Sequence, residues 1–182
     1  MRNNPALASA FRRMALGFLV ESIAFYLTFV PVVSAAEPII LLAGGVLMMN
    51  GFYRAAREVS GFKNPLFLKI IVVCLLFARA LILFIFGSSM GLGIFITAAQ
   101  VLLDLACLHY ICIAVPMLFP ATKERSTFAI RNLGTMHAVA WLGSMLPFKG
   151  TPVTLILLAF MIVGFIFRCK YLIYLRAAER AA

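Results

Sequence analysis

Charge is what this sequence has least of. Asp, Glu, Lys and Arg make up 12% of its 182 residues, against roughly 25% in soluble globular chains. Hydrophobic residues make up 64%, and the mean hydropathy is +1.07. A chain this poor in charge cannot cover a water-soluble surface, and no stretch is long enough to form a separate soluble domain. Acidic residues are scarcer than basic ones, six against sixteen, which leaves a formal net charge of +10. No helix-turn-helix, finger or RNA-binding signature accompanies that excess, so nucleic acid is not an expected partner. There is no GxxxxGK(S/T) loop and no soluble region to house one. Any energy-driven process must therefore use an ion gradient or a separate ATPase subunit.

Cysteine and histidine are also sparse. Cys74, Cys107, Cys112 and Cys169 lie in or beside apolar runs without a CxxC pair. They read as small apolar side chains, not as disulfides or zinc ligands. The two histidines, His109 and His137, could hold a metal or haem only if both faced inward. His109 falls on the helical face opposite Asp104, so no metal or cofactor is expected.

What remains is apolar length. The pattern predicts an all-α, polytopic membrane protein: one transmembrane domain over 1–182, with about six spans arranged as three hairpins. The spans are placed at about 14–33, 38–53, 70–86, 91–119, 132–147 and 152–175. Residues 1–36 imitate a secretory signal, with a basic head, an apolar middle and small residues before Glu37. The apolar run is longer than the roughly 7–15 residues of a signal peptide, and it carries Glu21. It is read as the first span and not as a cleaved leader.

In the second run Gly44 and Gly51 are seven apart and share a face with Ala43 and Met48, an arrangement that lets another helix approach closely. Arg54, Arg57, Lys63 and Lys69 then read as a basic loop, with Gly61 and Asn64-Pro65 breaking the helix. Pro116 and Pro120 are expected to bend and then end the fourth helix. The fifth run, with Gly134, His137, Trp141 and Ser144 along one side, fits a tilted span, a re-entrant half-crossing or an interfacial helix. The sixth is almost wholly apolar from Pro152 to Phe167 and suits a lipid-facing position before its basic tail. Tyr53-Arg-Ala-Ala-Arg-Glu resembles Leu175-Arg-Ala-Ala-Glu-Arg, a hint of internal duplication.

Orientation follows from the loops. The head, the 54–69 segment, the 121–131 segment and the tail hold nearly all the Lys and Arg, whereas the connections near Ser34, Ser88 and Pro147 hold only Lys149. The positive-inside rule therefore places both termini in the cytoplasm, in a cell or inner membrane.

The stretch Gly91–Pro120 carries the chemistry. Thr97, Gln100, Asp104 and Cys107 share one face of a helix long enough to span. An ionisable group there costs several kcal/mol unless paired or wetted. Counted from the outer turns at about 1.5 Å per residue, Glu21 and Asp104 lie about 20 Å deep and Arg79 about 14 Å. Arg79 is expected to reach Asp104, because the third and fourth runs are joined by a tight turn. Three readings stay open: a contact fixing helix registry in a packed interior, part of a polar cavity, or one or more of these residues snorkelling to an interface.

The cavity would be lined by Glu21, Arg79, Thr97, Gln100, Asp104 and His137. The expected function is a small transport-type or solute-binding membrane protein with a small polar or anionic ligand. The first alternative is a non-catalytic subunit or assembly factor of a larger membrane complex, meeting other membrane subunits or further copies of itself. The third is an intramembrane enzyme built on Glu21 and Asp104, although no motif surrounds either and no catalytic residue is assigned. In size and expected span count the chain is similar to the small substrate-capturing subunits of energy-coupling-factor transporters, a likeness of length and topology that no motif accompanies.

Overall fold

Long apolar stretches become helices here, since a helix satisfies its backbone groups internally. The computed structural model describes residues 4–27, 36–86, 90–119, 125–144 and 151–182. Within them the chain forms six α-helices and no strand: α1 (Pro5–Leu27), α2 (Glu37–Glu58), α3 (Lys63–Phe86), α4 (Met90–Leu118), α5 (Arg125–Ser144) and α6 (Thr151–Ala181). Asn4 caps α1 by accepting the Ala6 and Leu7 amides at 3.1 Å. Pro5 follows at the first helical position, where a missing N–H costs nothing. Even α5, with 20 residues, is about 30 Å long, the thickness of a bilayer's hydrocarbon core. Among the described residues, three stretches are also apolar enough to cross: Glu37–Glu58, Ser60–Ile85 and Ile94–Leu118.

Several boundaries differ from the sequence reading. The basic segment 54–69 is not a loop: α2 runs through Glu58, a single 3₁₀ turn covers Ser60–Phe62, and α3 starts at Lys63. Asn64-Pro65 lies in the first turn of α3, where proline is tolerated, so it opens that helix. Pro116 is inside the last turn of α4; Pro120 lies outside the described residues, as do Ser34, Ser88 and Pro147. In the sixth run Ile162, Phe165 and Ile166 are exposed and Phe167 is buried; past that run the helix turns Tyr171, Tyr174, Leu175 and Ala178 into the interior. The two similar helix-end segments do not share a register. Ala55 is buried but its counterpart Ala177 is exposed, and Ala178 is buried instead.

Each helix packs against its neighbours in sequence, and α6 closes on α1. The contacts run antiparallel throughout, for example Glu21 at Gly44 and Met14 at Gly51, Phe18 at Tyr171, and His137 at Gly164. The result is an up-and-down ring of six helices. Such a ring encloses a wider axis than a four-helix bundle.

At the end that holds the chain termini, aromatic side chains close it. Phe11 stands edge-on to Phe62 at 5.8 Å and to Phe119 at 5.9 Å, and all three are buried. The same end is tied by ions. Arg12 and Arg176 both reach Glu179 at 2.8 Å, and the Asn4 amide donates to Glu58 at 3.3 Å.

The tightest seam is between α1 and α2. A Cβ on Gly44 would meet the Glu21 amide nitrogen at 2.8 Å and the Gly17 carbonyl at 2.9 Å, and one on Gly51 would meet the Met14 nitrogen at 2.8 Å. The glycine face of α2 thus meets the backbone of α1, with Gly17 as the reciprocal notch. The outward faces are strongly apolar: Phe84 is 90% exposed, Met117 78% and Phe95 71%. No water-soluble surface is built that way, and the three apolar stretches suit a membrane protein.

Candidate functional site

Beyond the aromatic plug the axis of the ring opens into a cavity of about 140 Å³ lined from all six helices. Its centre is a lysine. Lys69 lies on α3 at the spacing i, i+3, i+7, i+10 with Val72, Leu76 and Arg79, so one helical stripe carries all four inward. Val72 and Leu76 are buried, and Lys69 is 1% exposed. Its Nζ is 2.6 Å from Glu21 Oε1 on α1 and 3.0 Å from Asp104 Oδ1 on α4. One turn earlier the Pro65 carbonyl accepts the Cys107 thiol at 3.6 Å, which fixes α4 against the start of α3.

Arg79 does not pair with Asp104. Its Nη2 is 3.2 Å from Glu37 Oε2, in the first turn of α2. The reason is axial. Counted from Phe86 at the end of α3 and Met90 at the start of α4, Arg79 is about 10 Å down α3 and Asp104 about 21 Å down α4, whereas Lys69 is about 25 Å down. Lys69 therefore sits nearly level with Asp104, and Arg79 extends toward the opposite end, where Glu37 also gains from the α2 helix dipole.

A third cation, Arg168, enters from α6. Its Nη1 donates to Ser22 Oγ at 3.1 Å, and Ser22 in turn donates to the Phe18 carbonyl at 2.7 Å. The guanidinium lies 4.3 Å from the Phe25 ring centroid and 5.7 Å from that of Phe18. Such stacking suits a weakly hydrated cation held away from water. No carboxylate among the described residues pairs with Arg168, and its Nε is buried without a hydrogen-bond partner; Gln100 Oε1 is in the same condition.

All six residues singled out from the sequence, Glu21, Arg79, Thr97, Gln100, Asp104 and His137, border this one cavity. His137 stacks on Phe167 with ring centres 5.7 Å apart and meets Phe25 edge-on at 5.4 Å. It fits because Gly164 has no side chain: a Cβ there would come within 2.6 Å of Nδ1. Trp141 packs on Phe25 at 4.7 Å beside it. His109 stays off the cavity, with its Nδ1 2.9 Å from the Leu105 carbonyl of its own helix. Glu21 and Asp104 meet on one ammonium group and not on each other.

Sequence reasoning missed Lys69, Glu37 and Arg168. Helical spacing could have found two of them, since Lys69 repeats with Arg79 and Arg168 repeats with Gly164, Tyr171 and Leu175. Counting Lys69 and Arg168 with the basic loops hid that signal. Among the described residues, no three or more His, Cys, Asp or Glu side chains are grouped to hold a metal. All four cysteines are free, with Cys107 and Cys112 buried. Comparison with protein-family models, with curated proteins and with solved structures finds no match to this chain.

Proposed function

We propose that this chain is a six-span membrane protein with cytoplasmic termini, of transport or solute-binding type, which binds a small polar solute in the cavity at the axis of its helix ring. One observation carries the reading. Three of the chain's six acidic residues and three of its basic ones converge on a single cavity inside an otherwise apolar bundle. Ionisable groups within membrane helices are expensive, and they concentrate where a substrate or ion passes. If Arg79 and Asp104 were a registry pair in a scaffold, they would touch across a filled interior. Instead they belong to different ion pairs and border the same space.

The size supports a small ligand. An apolar cavity of about 150 Å³ holds a molecule of benzene's size, so about 140 Å³ suits a solute of comparable bulk. The loop charges support the orientation, since the basic residues outside the cavity gather at the end where both termini lie.

The experiment uses Trp141, the single tryptophan, which borders the cavity. The full chain in lipid nanodiscs is titrated with a broad set of small polyols, amides, amines, carboxylates and amino acids while its emission is followed. A saturable change with at least one of them, abolished in Asp104→Leu, is expected. Silence across the whole set, together with a stoichiometric membrane partner on gentle purification, would replace this reading with that of a complex subunit.

A further inference from the structure

The charges around the cavity are balanced but not evenly distributed. Glu37 and Arg79 neutralise each other near the start of α2. Glu21 and Asp104 share Lys69, so that group carries one negative charge in excess. Arg168 supplies the compensating positive charge, but it does so from α6, without a carboxylate partner among the described residues, leaning on Phe25 and Ser22. Asp104 and Arg168 are on helices that α5 separates in the ring, and both border the cavity. The cavity therefore has a negative side and a positive side, and each keeps capacity in reserve. Asp104 leaves 36% of its side chain accessible while the lysine that it binds is sealed. Arg168 Nε has no partner.

Resting on the solute-binding reading above, we infer that the ligand is a small zwitterion, an amino acid whose ammonium group meets Asp104 and whose carboxylate meets Arg168. The charge balance selects this class. A lone anion would pair with Arg168 but leave the excess negative charge of the Glu21–Lys69–Asp104 group facing an interior that is now net negative. A lone cation would do the reverse. Net charge in a poorly solvated interior is strongly disfavoured. A zwitterion satisfies both sides and leaves the total at zero. Phe25, on which Arg168 stacks, and Trp141, which packs on Phe25, both line the cavity and give the ligand's carbon skeleton apolar contacts.

The test compares matched ligands on the full chain in nanodiscs, read by Trp141 emission and by calorimetry. Glycine, alanine, β-alanine, 4-aminobutyrate and 5-aminovalerate vary the spacing between the charges. For each, the acid lacking the amino group and the amine lacking the carboxylate are the controls. The best amino acid is expected to bind at least about tenfold more tightly than either control, the smallest effect of one charge-assisted hydrogen bond. Asp104→Asn should erase its advantage over the acid, and Arg168→Gln its advantage over the amine. If Arg168→Gln fails to fold, Arg168→Lys keeps the charge, loses the planar fork and should retain part of the preference. Binding of an acid or an amine as tight as that of the amino acid overturns the inference while leaving the solute-binding reading intact. So does binding confined to neutral polyols or amides. The solute-binding reading itself falls only if every class is silent.

Discussion

Removing the positive charge of Lys69 should do more damage than removing either of its carboxylates. Lys69→Met leaves Glu21 and Asp104 facing the same vacated point. Their contacting oxygens lay 2.6 and 3.0 Å from Nζ, so they stand within about 6 Å of each other. At an effective dielectric of about 20, two like charges at that distance repel by about 3 kcal/mol. Breaking a buried ion pair from one side costs about 3–5 kcal/mol, and that is the expected loss.

Glu21→Gln is different, because it leaves a one-to-one pair of Lys69 with Asp104. It forfeits a charged hydrogen bond of about 1.5–3 kcal/mol but also relieves the repulsion, so the net loss should be under about 1.5 kcal/mol. Asp104→Asn should behave alike. The double change Glu21→Gln with Asp104→Asn strands a sealed ammonium and should cost about 3–5 kcal/mol, more than the two single losses together. Adding Lys69→Met to that double mutant should restore stability to within about 2 kcal/mol of the parent. Equilibrium unfolding in mixed micelles, followed by circular dichroism, measures all five variants against the parent. Additivity of the two carboxylate changes, or a Lys69→Met variant within about 1 kcal/mol of the parent, would refute a shared ion group.

Arg79→Leu and Asp104→Leu should be additive within about 0.5 kcal/mol in the same assay, because they break separate pairs, whereas Arg79→Leu should couple to Glu37→Gln; strong coupling of the first pair would contradict the geometry. Gly44→Ala must push α1 and α2 apart and should cost about 1–3 kcal/mol. Gly61→Ala, whose Cβ would meet only Ala114 at 3.6 Å, should be close to neutral, and equal melting of the two would argue against the tight seam. Partial burial would raise the Glu179 carboxyl, but hydrogen bonds from Arg12 and Arg176 outweigh that and hold it below its ordinary value. Its contribution should therefore be fully present above the unfolded carboxylate range near about 4.3 and be lost as pH falls through the folded value. A stability–pH profile of Glu179→Gln identical to that of the parent below about pH 5 would rule this out. In a background without native cysteines, thiols placed at Ser34, Ser88 and Gly150 should react with an impermeant reagent from outside, and those at Ser60 and Ser126 should not; labelling at Ser60 would invert the proposed topology.

The sequence by itself was enough for the helical, apolar character of this chain. Hydrophobic runs of spanning length need no tertiary context to declare themselves, and backbone groups among such residues are satisfied within a helix. It was also enough to mark Glu21, Arg79 and Asp104 as residues with unmet needs, because a charge among apolar neighbours is conspicuous in one dimension. The glycine face of α2 was visible as a spacing, though its partner, the backbone of α1 around Gly17, was not.

Which charge meets which was decided only in three dimensions. Pairing depends on where each residue falls along the axis and on the order of helices around the ring, and neither is local. Lys69 and Arg168 lie near the ends of apolar runs, where a basic residue usually marks the membrane surface. The inward stripe of α3, the aromatic face of Phe25 and the closure of α6 onto α1 carry them into the interior instead. The cavity has the same origin: no single helix encodes it, and it exists because six helices close a ring whose plug of Phe11, Phe62 and Phe119 fills one end of the axis but not the rest.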